Sequence, residues 1–322
     1  MELVQGLPVE NLSLNGNVMS ELAGYRLIEV AGDDAKGFLL GLSTSDVKLV
    51  SPSFSQFSAI CDTKGRVLAS FLIFRRYDAY YLFLPAEMVE PVVRKLKMHV
   101  LRAKVTIKEA DESLKVIGLL GSDAIQLLSQ ALPKPIQEQT ANDTIQSEDC
   151  TIIPLPGDVQ PRWLVVGNTD AMDVLCEKLL PDITLIDKDE WAYLDAISGV
   201  PFIVPATVGE YLPQMLNMES LGGLSFTKGC YPGQEVIARL HYRGKLKRKL
   251  YVAHTDSPSL PDAGTPLYHP GNPSSIGHVL SAARHSNGQV ALQAVIEIEQ
   301  QSQGDVTLPE PSGSKLIFAA SV

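Results

Sequence analysis

Apolar residues along this chain fall into short runs whose period switches repeatedly, and the switches mark out its elements. "YRLIEV" (25–30) alternates as a half-buried strand does, and "GDDAKGFLLGL" then starts a helix with Asp33 at the N-cap. "FSQFSAIC" and "RVLASFLIFRR" flank "DTKG", a hairpin turn signal, and "YYLFL" (80–84) adds a strand. From Glu87, Val89, Val92, Val93, Leu96 and Val100 recur on one helical face, with Pro91 tolerated in the first turn. "AKVTIKEA" closes this first set as a strand.

The order then recurs. "LKVIGLL" predicts a strand, "SDAIQLLSQAL" a helix capped by Ser122, "DCTIIPL" and "RWLVVG" strands, "DAMDVLCEKLL" a helix and "ITLI" a short strand. Two rounds of strand, helix, strands, helix, strand imply a duplicated α+β unit, each half a split β-α-β. The rounds share element order and not residues. "DKDEWAYLDAISGVPF" reads as a helix that Asp187 caps and Gly199-Val200-Pro201 ends, and "QEVIARL" as a shorter one. After Gly244 the texture changes: "KLYVAHT", "GTPLYHP", "IGHVLSAA", "QVALQAVIEI" and "KLIFAA" are short strands between Pro/Gly/Ser turns. That is the pattern of a small β-barrel or sandwich. The expected organisation is therefore an α+β region over 1–244, in halves of about 1–112 and 113–244, followed by a β-barrel over 245–322.

Composition adds exclusions. At 322 residues, 45% hydrophobic and 20% charged, the chain suits a soluble globular protein of two or three domains. No apolar run approaches the roughly 18 residues of a membrane span. The start, "MELVQGLPVENLSLNG", lacks a signal peptide's basic and apolar blocks, so the expected location is cytoplasmic with no membrane partner. Cys61, Cys150, Cys176 and Cys230 are widely spaced and form no C-x-x-C, which predicts reduced thiols. The six histidines show no ligand spacing, and no metal site is legible. Net charge is −10, yet "ARLHYRGKLKRK" gathers Arg239, Arg243, Lys245, Lys247, Arg248 and Lys249. Such a run either grips phosphates and carboxylates or is a solvated surface.

The chemistry concentrates just before that run, in "SFTKGCYPGQEV" (225–236). Gly229 and Gly233 free the backbone around Cys230, and Pro232 stiffens the turn. If "GQEVIARL" starts a helix, the sulfur precedes a helix N-terminus, and with Lys228 nearby the thiolate gains. Glu235 acts in the opposite sense if it faces the sulfur. The spacing leaves a reactive thiol and a small residue filling a turn both open. Cys176 shares a helix face with Met172, Leu175 and Leu179, and Cys61 and Cys150 sit at strand ends, all as packing residues. Trp191 offers a flat face to a ligand or to the core. No Ser/His/Asp arrangement, G-x-G-x-x-G or P-loop occurs.

"KGCYPGQE", with "LPQMLNMESLGGLSFT" before it and "ARLHYRG" after it, resembles the hallmark of the YgfZ family of folate-binding proteins. The resemblance extends to "CDTKGRV", to a tryptophan before "LDAISGVP" and to a C-terminal barrel. It implies the fold of the glycine-cleavage T-protein, binding of folate as tetrahydrofolate, and support of iron–sulfur enzyme assembly or repair and of tRNA modification. Implied partners are iron–sulfur enzymes, tRNA-modifying ones among them, with direct tRNA contact open. By position the motif falls on Lys228, Gly229, Cys230, Tyr231, Gly233, Gln234 and Glu235, with Cys230 the functional thiol. The family's aromatic folate contacts fall on Tyr25 and Trp191. The paired aspartates of T-proteins, one of them catalytic, fall on Ala69 and Ser70, and a pterin-contacting glutamate on Ile197. Neither a methyl nor a hydroxyl supplies the carboxylate that proton transfer needs, so T-protein chemistry is not expected. Asp195 is a candidate for holding the pterin edge, and Arg239, Arg243 and Lys245 for the anionic tail. Two alternatives stand beside this: a folate-dependent one-carbon transferase, and a scaffold for tRNA or its modifying enzymes.

Overall fold

A computed structural model describes residues 16–136, 143–157, 160–309 and 313–319. The segment 1–15, which holds most of the N-terminal stretch discussed above, lies outside the described residues. The first half of the described chain runs β1 (Val18–Glu21), β2 (Tyr25–Ala31), α1 (Ala35–Leu40), β3 (Gln56–Cys61), β4 (Val67–Arg76), β5 (Ala79–Pro85), α2 (Val89–Lys97) and β6 (Thr106–Glu109). The second round is β7 (Leu114–Leu120), α3 (Ala124–Ala131), β8 (Ile145–Gln146), β9 (Cys150–Pro154), β10 (Arg162–Asn168), α4 (Thr169–Leu179) and β11 (Thr184–Leu185).

The two rounds build sheets of matching order. The first is β3-β4-β5-β2-β6 and the second β8-β9-β10-β7-β1-β11. Each strand of one round has its counterpart in the other, with β1 wedged between the first and last strands of the second round. Strand β1 pairs antiparallel with β7 and parallel with β11. The N-terminal strand thus crosses the division at residue 112 and completes the sheet of the later half.

Alternation sends successive side chains of the central strands to two different cores. On β4 and β5, Phe71, Ile73, Leu82 and Leu84 enter a first core with Leu39 of α1 and Val92 and Leu96 of α2. Their neighbours Leu72, Phe74, Tyr81 and Phe83 enter a second core. Burial on both faces is why "YYLFL" reads as a continuous apolar run. From the other sheet, Leu164 and Val166 of β10 join this second core, while Trp163 and Val165 join a third beneath α3 and α4. The second core therefore fills the space between the two sheets. Helix α5 (Lys188–Ser198) runs through it, contributing Trp191, Leu194, Ala196 and Ile197.

Helix α5 begins where its sequence says it should. Asp187 Oδ1 accepts the N–H groups of Asp189 and Glu190, both at 2.9 Å, and Gly199 closes the helix at φ 71°. Two other caps shift by one residue, to Asp34 and Asp123 from the expected Asp33 and Ser122. Asp34 is held there because its carboxylate takes the Lys104 N–H at 2.7 Å.

Helix α6 (Gln234–Arg243) begins within the motif, and β12 (Arg248–Thr255), β13 (Pro266–Leu267), β14 (Gly277–Arg284), β15 (Val290–Glu297), α7 (Ile298–Gln301) and β16 (Ile317–Phe318) follow it. The last strands make the C-terminal part β-rich, as an antiparallel sheet ordered β13-β14-β15-β12-β16 over a core of Leu267, Val279, Leu292 and Val306. Gln293 of β15 ties this unit to α5, its amide donating to the carbonyls of Asp195, Ala196 and Val200 at 3.0–3.2 Å.

Candidate functional site

The motif loop belongs to the first core although it comes late in the chain. Tyr231 and Ile237 are buried there beside residues of β3, β4 and α1. Gly233, the N-cap of α6, has φ +81°, and a Cβ on it would lie 2.5 Å from the Asp62 carbonyl oxygen and the Gly65 Cα. Only glycine lets the loop press against the "DTKG" hairpin in this way. Gly229, by contrast, faces open space.

Lys228 and Tyr231 anchor the loop on either side of the cysteine. The Lys228 side chain runs inward, and its ammonium donates to the Leu40 carbonyl at 2.6 Å and to the Ser43 carbonyl. It also stands 4.6 Å over the Tyr231 ring. Burial pushes this ammonium down to about 8, partly opposed by Asp46. The expectation that Lys228 supplies charge beside the thiol is corrected here: its charge serves the carbonyls at the end of α1. Between the two buried anchors, Gly229 and Cys230 are pushed out, and Cys230 is exposed. Cys61 and Cys150 are buried, and burial raises both thiols, Cys150 to about 12. Glu235 is exposed in the first turn of α6, and Gln234 is half-buried. Arg239 and Arg243 are exposed, whereas Lys245 pairs with Glu299 at 3.2 Å.

A second cluster forms around α5. Asp195 accepts the Tyr25 hydroxyl at 2.7 Å on Oδ2 and Arg162 Nη1 at 2.8 Å on Oδ1. Arg162 Nη2 donates to the Pro156 carbonyl, and its guanidinium lies 5.7 Å from the Trp191 ring. Tyr25 stacks on Phe83, centroids 4.6 Å apart, and meets Phe202 edge-on at 5.2 Å. Burial pushes the Asp195 carboxyl up, while Arg162, Tyr25 and the Trp191 side chain pull it back toward the ionised form. Burial and the nearby carboxylate hold the Tyr25 hydroxyl well above its ordinary range, so it stays a donor.

Trp191 differs from expectation. It is 2% exposed, and a Cβ on Gly118 of β7 would lie 2.4 Å from its ring. The indole is packed so closely against that strand that it presents no open stacking face; it braces Arg162 and Asp195 instead. Sequence reading missed Arg162, though a lone arginine opening the buried run "RWLVVG" was the available signal, as Gln293 was within "QVALQAVIEI".

Ala69 and Ser70 are buried in β4. The Ser70 hydroxyl donates to the Pro201 carbonyl at 2.7 Å and accepts the Ile203 N–H at 2.9 Å. It thereby fixes the segment carrying Phe202, which packs against both the first and the second core. Ile197 is a core residue of α5. The thiol and the carboxylate thus belong to different layers: the Cys230 loop rests on the first core, Asp195 and its partners on the second, with Phe202 between them.

A cleft of about 780 Å³ opens beside Tyr25. Its wall carries Glu21, Glu109, Asp111, Glu112 and Asp173 against Arg26 and Lys115, an acidic excess that repels an anionic tail. Among the described residues no group of His, Cys, Asp and Glu could hold a metal ion, and no helix is long and apolar enough to cross a membrane.

Residues 15–153 match the family model described as the GCVT N-terminal domain. The chain is 31% identical over 278 residues to a tRNA-modifying protein YgfZ of Colwellia psychrerythraea, covering 86% of this chain and 84% of the relative. It is 30% identical over 283 residues to one of Escherichia coli O157:H7, covering 87% and 85%. Among solved structures, the glycine cleavage system aminomethyltransferase T of Bartonella henselae superposes with a TM-score of 0.71 at 16% identity, over 95% of this chain and 86% of that one. That likeness makes the fold T-protein-like.

Proposed function

The chain belongs to the YgfZ family, and from that membership we propose that it is a cytoplasmic, folate-binding accessory protein that supports tRNA modification and the assembly or repair of iron–sulfur enzymes. Cys230 is its working thiol. The folate half of this reading is carried by one observation, the convergence of Tyr25, Arg162 and Trp191 on the Asp195 carboxylate. The aminopyrimidinone edge of a pterin offers N–H donors to a carboxylate. An ionised carboxylate has about four acceptor positions. Tyr25, Arg162 and the Trp191 side chain take three of them, which leaves one for a pterin N–H. Tyr25 and Asp195 would hold the pterin, Trp191 and Arg162 would keep the carboxylate ionised and oriented, and Arg239, Arg243 and Lys245 remain candidates for the glutamate tail. Bound tetrahydrofolate would supply one-carbon chemistry, and the residues named here bind and orient.

The thiol half is supported by the loop's construction. Two buried anchors and a close-packed glycine hold an exposed sulfur in place, which a merely space-filling cysteine does not need. Transfer by the T-protein's aspartate has no support, because the Ser70 hydroxyl is engaged by backbone and Ala69 offers no polar atom. Calorimetric titration with tetrahydrofolate tests the site. Asp195→Asn should weaken binding at least about tenfold, the loss of one charge-assisted bond, while Cys230→Ser leaves it unchanged. Cys230→Ser should also fail to complement a null strain. Wild-type folate affinity in Asp195→Asn, or full complementation by Cys230→Ser, would remove the corresponding half of the proposal.

A further inference from the structure

The surface beside the thiol carries a cluster of rings that the folate reading does not use. Phe226 lies on the motif loop, and its ring stacks on His241 of α6 with centroids 3.9 Å apart and planes 20° from parallel. Tyr242 meets both rings edge-on, 6.1 Å from Phe226 and 4.7 Å from His241. Tyr242 is 68% exposed and so open to a partner. Arg239, Tyr242 and Arg243 recur at helical spacing and so share one face of α6. The ion pairs in this region are Lys245–Glu299 and Arg248–Glu297, and His241 Nδ1 lies 3.1 Å from Glu219, which leaves Arg239, Arg243 and Lys247 outside them. Glu219 and Glu235 are the opposing charges at the edge of the cluster. On a chain of net charge −10, this is where positive charge gathers.

We propose that this face binds an unpaired RNA segment, with a base stacked on the Tyr242–Phe226–His241 rings and its phosphates on Arg239 and Arg243. The inference rests on the reading that the chain acts in tRNA modification, and it names the part of the RNA that is met. Exposed rings flanked by basic side chains are the combination that holds single strands, because every base has a face to stack and every nucleotide a phosphate. A duplex hides those faces. An acidic peptide would satisfy the arginines but does not repeat an aromatic ring beside each anionic group as a single strand does. Phe226 and Cys230 belong to one loop, the segment 225–236.

Fluorescence anisotropy with a labelled RNA hairpin carrying an unpaired loop, against the fully paired duplex of its stem, tests this. The loop RNA should bind more tightly than the duplex. Tyr242→Ala should weaken it by roughly 5- to 150-fold, the range found for losing a stacked base. The pair Arg239→Gln and Arg243→Gln should flatten the log–log salt slope by about 1.4, at about 0.7 per single-strand phosphate. Equal binding of loop and duplex, or no effect of Tyr242→Ala in a variant whose circular dichroism is unchanged, overturns the proposal. So does absence of binding at low salt, which would leave the rings to a protein partner. Tetrahydrofolate titration of wild type and of Tyr242→Ala, a residue outside the folate reading, separates the two readings. Intact folate binding without RNA binding sinks this inference alone, and loop-RNA binding in a protein that does not bind folate upholds it alone.

Discussion

Removing Asp195 should expose how much of the centre depends on one buried ion pair. The Arg162 side chain is 2% exposed and that of Asp195 14%, their atoms 2.8 Å apart. Asp195→Ala leaves the guanidinium facing the Pro156 carbonyl and the Trp191 ring with no anion. Breaking such a pair from one side costs about 3–5 kcal/mol, most of it the penalty of a stranded buried charge. The Tyr25 hydroxyl loses its acceptor as well, adding about 1 kcal/mol. Arg162→Met strands the carboxylate instead and should cost a similar amount. The double variant strands neither charge, so it should be more stable than the sum of the two losses by about 2–3 kcal/mol. Urea titration followed by tryptophan fluorescence suits the measurement, because the chain has only two tryptophans and Trp191 lies beside the pair. Fluorescence and circular dichroism midpoints must coincide for the free energies to be meaningful. Additivity of the two single losses within about 0.5 kcal/mol would show that the pair is not coupled and refute the argument.

Three further outcomes follow from the same geometry. Ser70→Ala removes the hydroxyl that joins Pro201 to Ile203 and should cost about 1–3 kcal/mol in urea titration; an unchanged midpoint would mean that water replaces it freely. Gly118→Ala places a methyl against the Trp191 indole and should cost about 1–3 kcal/mol with a shifted emission maximum, whereas an unaltered spectrum would deny the close packing. Lys228 titrates near 8 when folded and at its ordinary 10.5 when unfolded, so between these values the unfolded chain holds more protons. Wild type should therefore gain stability relative to Lys228→Met as pH rises from 8 toward 10, and parallel profiles for the two proteins would contradict the burial of that ammonium.

Element type was legible because it is a local property. The alternation in "YRLIEV" and the helical recurrence of Val89, Val92 and Leu96 record which face of each element is buried, and α5 announced its own start and stop through Asp187 and Gly199. The repeated order of elements, and with it the duplicated α+β region and the β-rich end, followed from the same periodicities. The tight turn after Cys230 was marked by Gly233, since a backbone that must press against another segment excludes a side chain at that point, but whether the thiol faced out or in was not.

What periodicity does not encode is which buried face meets which. Strand β1 pairs with β7 some hundred residues later, and the motif loop of the second half packs on the core of the first. The pairing of Arg162 with Asp195, the inward turn of Lys228 and the sealing of Trp191 against Gly118 all depend on such long-range closures. A buried charge selects its partner only once the surrounding apolar surfaces have excluded water, so the chain's own order fixed the elements and tertiary packing fixed the chemistry among them.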